Sequence, residues 1–145
     1  MLKNFSDRLR DLMFDHNLSA KKLSENLDHN IHDIYHWKSG KGKFMPSVAN
    51  IIKLADYFRC SIGFLLGLEE ENHLPDPKRT PPFSQRFRFA VESNGYSLYK
   101  LGVATQMGTA QYYAWIHGQS KPSIYSLINI ASVLGCSIDY LLGRE

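Results

Sequence analysis

Apolar residues recur at helical spacing along almost the whole chain, and no segment shows the strict alternation of a β-strand. Near the start they fall at i, i+4, i+7 and i+8, on one face of a helix: Phe5, Leu9, Leu12 and Met13. A later segment repeats this spacing with Phe83, Phe87, Ala90 and Val91. The pattern predicts an all-α protein.

Residues that favour helix ends divide each apolar stretch into short helices. Ser19 and Ser97 suit the N-cap of a second helix, and Asn30 suits the N-cap of a third that runs to Trp37 and stops before Gly40. The later stretch begins its third helix at Gly108 or Thr109 and ends it at Trp115 before Gly118. Trp37 and Trp115 fall on the same helix face as Ile34 and Tyr112, so both are predicted to be core residues. Pro-Ser pairs at 46–47 and 122–123 begin a fourth helix, and Ser61 and Ser137 begin a fifth. Five short helices with a tight turn after the second are typical of a helix-turn-helix bundle.

The chain contains this helix series twice. Residues 5–43 match residues 83–121 in register, and residues 46–67 match residues 122–143, while Phe44 and Met45 are extra in the first copy. Repetition at a fixed offset indicates a duplicated domain. We therefore predict two tandem five-helix domains, residues 1–67 and 83–145, joined by a Pro-rich, acidic linker at 68–82.

Composition and charge narrow the class of protein. The content of 43% hydrophobic and 21% charged residues is ordinary for a globular chain, and no apolar run approaches 18 residues. No secretion signal begins the chain, so we expect a cytoplasmic protein without a membrane segment. Cys60 and Cys136 occupy equivalent positions, where buried reduced thiols are favoured over a disulfide joining the copies. The net charge is +3, with both copies basic, which favours a polyanionic partner.

The motifs resemble the phage-repressor (Cro/XRE-type) helix-turn-helix family. The first copy shows it in Ser19, Leu23, Ile34, Trp37-x-x-Gly40, Pro46-Ser47, Ala55 and Ile62–Gly67. The second copy shows it in Ser97, Leu101, Tyr112, Trp115-x-x-Gly118, Pro122-Ser123, Ala131 and Ile138–Gly143. The resemblance implies two lambda-repressor-like domains that bind double-stranded DNA, with the third helix in the major groove and its N-terminal residues over the base edges.

The chain departs from that family at two sets of positions. The family usually has a phosphate-contacting Gln after the cap of helix two, where this chain has Ala20 and Leu98. The family often pairs an Arg late in helix one with a Glu after helix three, and here Met13 and Val91 replace the Arg while Lys38 and Ile116 replace the Glu. Loss of both partners of an ion pair can be nearly neutral, so the predicted fold stands. The Gln contact does not carry over.

By the same resemblance, certain side chains are candidates for contact with DNA. The exposed positions expected on the third helix are Ile31, His32, Tyr35 and His36 in the first copy, and Thr109, Ala110, Tyr113 and Ala114 in the second. Asn30 and Gln111 add amides, and the cations that would contact phosphates are Lys21, Lys22, Lys41, Lys43, Lys100 and Lys121. Neither third helix has an Arg or Lys before its last turn, so the usual bidentate guanine contact is missing. The first copy is expected to be the better DNA binder.

The sequence favours neither a metal site nor an enzyme active site. His29, His32 and His36 have the spacing of a helical metal site, but His29 precedes the cap and no cysteine is nearby, so no metal or cofactor is predicted. No nucleophile motif, phosphate loop or carboxylate pair indicates an enzyme or a small-molecule substrate.

The sequence thus predicts a repressor-like transcription regulator of phage or prophage type that reads two half-sites. The two copies would act as an internal pseudo-dimer, or two chains would form a homodimer. The alternative is a protein-interaction module on a helix-turn-helix scaffold that has lost DNA binding, because the third helices are rich in aromatic residues and poor in cations.

Overall fold

All regular secondary structure that the structure describes is α-helical, which confirms the predicted all-α class. The structure is a computed structural model, and it describes residues 2–41, 45–74 and 82–145. Within these ranges the first half of the chain forms α1 (Leu2–Asp15), α2 (Ala20–Leu27), α3 (Ile31–Ser39), α4 (Val48–Phe58) and α5 (Ile62–Leu65). The second half forms α6 (Phe83–Ser93), α7 (Leu98–Thr105), α8 (Thr109–Ile116), α9 (Ile124–Leu134) and α10 (Ile138–Leu141). Lys43, Phe44 and linker residues 75–81 lie outside the described residues.

The chain divides into two compact units, Met1–Leu74 and Pro75–Glu145. Among the described residues each unit has five helices, and in each the first helix packs on the third, as α1 does on α3 and α6 on α8. The domain boundaries predicted at 67, 68, 82 and 83 stay predictions. Cys60 is buried and Cys136 is half-buried, and both are free thiols.

Short polar side chains begin most of the helices, as the sequence predicted. The Ser19 hydroxyl accepts the Lys22 N–H at 3.1 Å, and Asn30 Oδ1 accepts the His32 N–H at 2.8 Å. Equivalent serine caps begin the other short helices: Ser47, Ser61, Ser97, Ser123 and Ser137. Each such cap stabilises its helix by about 0.5–2 kcal/mol. Among the helices whose N-cap residue is described, the exceptions are α6 and α8, where Pro82 and Gly108 make no side-chain cap.

The apolar face of the first helix forms the core of each unit. Phe5 and Leu9 of α1 are fully buried, as is Phe87 of α6. Both tryptophans are buried as predicted, with exposed fractions of 7% for Trp37 and 2% for Trp115. The second core is more aromatic, because Phe83, Phe87, Tyr112 and Trp115 pack ring against ring at centroid distances of 5.4–6.1 Å.

An arginine joins the first helix of each unit to its fifth. The Arg8 guanidinium lies 3.9 Å from the centre of the Phe64 ring, and it donates to the Glu69 carbonyl at 3.2 Å. In the second unit Arg86 lies 4.4 Å from the Tyr140 ring centre and donates to the Glu145 carbonyl at 3.1 Å. The shared contact shows that the repeat extends beyond the Leu-Leu-Gly motif.

The start of the segment assigned to the linker is bonded to the first unit. Asn72 Oδ1 accepts the Ser61 N–H at 3.0 Å, and Asn72 Nδ2 donates to the Arg59 carbonyl at 3.1 Å. The Ser61 hydroxyl also donates to the Glu69 carboxylate at 3.3 Å. A Cβ on Gly63 would lie only 2.7 Å from the Glu69 side chain, so the glycine makes room for this carboxylate.

Candidate nucleic-acid interface

The third helix of the first unit is held by its buried face and presents its polar face to solvent. Ile34 and Trp37 are buried against the core, whereas His32, Tyr35 and His36 are exposed. Helical spacing places these three on the opposite side from the two core residues. Ile31 was expected to be exposed, but it is half-buried. His32, Tyr35 and His36 therefore form the accessible surface of α3.

The N-terminus of α3 is fixed by polar contacts of its own. Because the oxygen of Asn30 accepts the His32 N–H, the amide nitrogen of Asn30 is the group left to meet a base or phosphate. His29 stacks on Trp37 with ring centroids 5.0 Å apart, and its Nε2 lies 2.8 Å from Asp33 Oδ2. The Asp33 carboxylate is thereby engaged within the unit. His29 is a structural neighbour of α3 and is not on its exposed face.

Lysines lie on either side of α3 along the chain. Lys21 and Lys22 are exposed in the first turn of α2, and Lys41 is exposed just after α3. The turn that carries Lys41 is fixed, because the Ser39 hydroxyl donates to the His36 carbonyl at 2.9 Å and accepts the Lys41 N–H at 3.3 Å. Gly40 has a φ of 64°, which glycine adopts without strain. Lys43 was predicted in the same loop, and it lies outside the described residues.

The C-terminus of α3 is capped by Arg10, which the sequence patterns did not predict. Arg10 donates to the Lys38 carbonyl at 3.0 Å and forms an ion pair with Asp7. A guanidinium next to a terminal carbonyl also opposes the negative end of the helix dipole. Met13, at the family's arginine position, is buried. Arg10 therefore attaches helix one to helix three where the family's Arg–Glu pair is missing.

The second unit presents a different surface on α8. Thr109, Ala110, Gln111 and Tyr113 are exposed, but Ala114, which was expected to be exposed, is half-buried. Gln111 Nε2 donates to the Ser120 hydroxyl at 3.1 Å, so one donor of the predicted amide reader is already used. The candidate phosphate contacts Lys100 and Lys121 are exposed.

A buried tyrosine holds α8 in place. Tyr112 forms a hydrogen bond with Thr105, whose carbonyl accepts from Asn129 Nδ2 at 2.9 Å. Burial raises the pKa of Tyr112, and the hydrogen bond with Thr105 acts in the opposite direction. The phenol is therefore neutral at physiological pH. It joins helix three of this unit to helix two, and the separate Asn129 bond joins helix two to helix four.

Helices two to four of the second unit expose four large apolar side chains, two of which replace charged residues of the first unit. Their exposed fractions lie between 49% and 73%: Tyr99, Val103, Tyr113 and Tyr125. The first unit has Lys21, Glu25, Tyr35 and Ala49 at the equivalent positions. The two surfaces therefore differ in charge on helix two, whereas the exposed tyrosine of helix three is common to both units.

Neither a metal site nor a membrane span was found in the described ranges. In these ranges no group of three or more His, Cys, Asp or Glu side chains is placed to bind a metal ion. Of the helices described, none is long and apolar enough to cross a bilayer.

Both units match family models. Residues 8–71 match the Cro/C1-type HTH DNA-binding domain, and residues 88–141 match a helix-turn-helix model. The fold and these matches define the chain as a protein of the helix-turn-helix class. More narrowly, the chain carries two Cro/C1-type helix-turn-helix domains in tandem. No significant match was found among curated proteins or among solved structures.

Proposed function

We propose that this chain is a sequence-specific, repressor-like transcription regulator, and that its first unit supplies most of the base reading. The observation that carries the proposal is the exposed face of α3. It presents His32, Tyr35 and His36, with lysines on the preceding helix and in the following turn. Imidazole and amide groups can donate to or accept from base edges, while lysines contact phosphates.

The tandem arrangement supports binding to two half-sites. Helix-turn-helix dimers read half-sites about 34 Å apart, one turn of DNA. Two heads in one chain supply the same two contacts as an internal pseudo-dimer, and a homodimer of chains is the other arrangement. The proposed function is non-enzymatic, and a regulator of this kind would work in the cytoplasm, where the DNA is.

The test is selection of bound sequences from random duplex DNA, followed by titration of the selected duplex. His36→Ala is expected to change the preferred bases, because His36 lies on the exposed face of α3. His73→Ala is the matched control, since His73 is also exposed but lies beyond α5 and outside the candidate site. An unchanged preference in His36→Ala would contradict base reading by α3.

A protein-interaction module is the second candidate, and one observation favours it for the second unit. On helix two, Tyr99 and Val103 replace the charged Lys21 and Glu25 of the first unit, and Tyr113 and Tyr125 are exposed on helices three and four. Aromatic enrichment and charge depletion mark the centres of protein interfaces. If random-sequence duplex shows no binding at about 50 mM salt, where non-specific phosphate contacts are strong, this function replaces the DNA-binding proposal.

A further inference from the structure

A small cavity opens beside α8 in the second unit. It has a volume of about 260 Å³ and lies between α6, the α6–α7 turn and the last turn of α8. Its apolar walls are Val91, Tyr96, Leu98 and Ile116, and Arg88 and Glu92 are part of its exposed rim. Two of these walls, Val91 and Ile116, stand where the family has its Arg–Glu pair.

The two opposite charges at the rim have no partner within the part of the chain that the structure describes. Arg88 is equivalent to Arg10, which binds Asp7 and the Lys38 carbonyl in the first unit. The second unit has Gln85 at the position of Asp7, so its arginine has lost the carboxylate partner. Glu92 follows Arg88 by one helical turn, yet no ion pair joins them.

The geometry points to a binding site for a free α-amino acid with an apolar side chain. Its carboxylate would pair with the Arg88 guanidinium, which suits a bidentate contact, and its ammonium would pair with Glu92. The side chain would enter the cavity between Val91, Leu98 and Ile116. A zwitterion satisfies both rim charges at once, whereas a simple anion or cation leaves one of them facing a like charge.

The size of the cavity supports the same ligand class. At about 260 Å³ it falls below the roughly 300–1,000 Å³ of pockets that hold drug-sized molecules. A single amino acid with a branched or aromatic side chain is the appropriate scale. Binding of so small a ligand is expected to be weak, with a Kd on the order of 1 mM. The site does not depend on the proposed DNA binding, and its test is independent of it.

The experiment is an NMR titration of the full chain with L-phenylalanine, in which binding is monitored by amide chemical shifts. Saturable shifts are expected at residues 88–98 and 113–117. The equivalent residues of the first unit, 10–20 and 35–39, serve as an internal control and should not move. Two analogues complete the set: 3-phenylpropionate lacks the ammonium and 2-phenylethylamine lacks the carboxylate. Both should bind at least about fivefold more weakly, because each leaves one rim charge unpaired.

Three exposed substitutions test the roles of the rim. Arg88→Gln should weaken phenylalanine binding about tenfold or more by removing the charged partner. Gln85→Asp restores the carboxylate that occupies this arginine in the first unit, and it should weaken binding without touching the cavity. Glu92→Gln should remove the preference for phenylalanine over 3-phenylpropionate. Unchanged resonances from the second core, such as the indole signal of the buried Trp115, would show that each variant is folded.

Several results would overturn the site. The site would be refuted if no saturable shifts appeared at about 10 mM phenylalanine, which is tenfold above the expected Kd. Equal binding of 3-phenylpropionate by the unmodified chain is another, because Glu92 would then have no part. Equal shifts in the two units would show non-specific association.

Discussion

The salt dependence of DNA binding gives the sharpest test of the candidate phosphate contacts. Six lysines are candidates, and each phosphate neutralised contributes about −0.9 to the slope of log affinity against log salt. The expected slope is therefore no steeper than about −5 to −6. Between 50 and 200 mM salt this corresponds to a loss of affinity of roughly 10³-fold.

Removal of two lysines from the first unit should change that slope by a calculable amount. The double substitution Lys21→Ala and Lys22→Ala takes away two contacts, so the slope should flatten by about 1.8 and the loss should fall to roughly 10²-fold. Both side chains are exposed, so the fold should be unaffected. The assay is fluorescence anisotropy of a labelled duplex at several salt concentrations.

The control variant separates local contacts from general charge. Lys53→Ala removes an equally exposed lysine from α4 that is outside the candidate site. Its slope should match that of the unmodified chain, and the preferred sequence should be the same in all variants because phosphate contacts position without specifying. An unchanged slope in the double variant, or equal flattening in Lys53→Ala, would refute the assignment.

Three further predictions concern stability. Trp37→Ala and Trp115→Ala should each lower the free energy of unfolding by about 3–5 kcal/mol in urea melts, because each empties a large buried ring, and a loss below about 1 kcal/mol would contradict the core role. Arg8→Ala should cost about 1–2 kcal/mol by removing the Phe64 and Glu69 contacts, and equal stability to the unmodified chain would count against them. Burial raises the pKa of Tyr112 above its usual 10.0, so its stabilising contribution is complete below about pH 10 and is lost as the pH rises through the folded-state value. The NMR signals of the folded second unit should therefore lose less intensity at alkaline pH in Tyr112→Phe than in the unmodified chain. Identical pH profiles for the two proteins would refute this.

Local chemistry made the helix boundaries predictable. A serine cap such as Ser19 acts on an N–H three residues away, so the signal and its effect lie within one turn of sequence. The burial of Trp37 and Trp115 followed from helical spacing in the same way. The repeat supports most of these boundaries, because the two copies carry equivalent caps at most positions.

Contacts between distant segments were not predictable from those patterns. The Arg10 guanidinium donates to the Lys38 backbone carbonyl. Every residue has such a carbonyl, so the sequence does not indicate which one a side chain will bind. The side-chain contact between Ser61 and the Glu69 carboxylate did have a signal, since Glu69 and Glu145 match at the same register as the Pro-Ser motifs and Ser137 bonds the Glu145 carboxylate in the same way. Half-burial of Ile31 and Ala114 depends on how neighbouring side chains pack around each position, which helical spacing alone does not define.

The different cores of the two units bear on how a duplicated chain avoids misassembly. Neighbouring repeats of similar sequence are prone to exchange equivalent helices while they fold. Exchange of α1 with α6 would place the Phe87 ring against Ile34 and leave the smaller Leu9 beside Tyr112. One mixed core would be overpacked and the other would contain a cavity, and both defects are destabilising. The aromatic core of the second unit thus makes each first helix specific for its own copy.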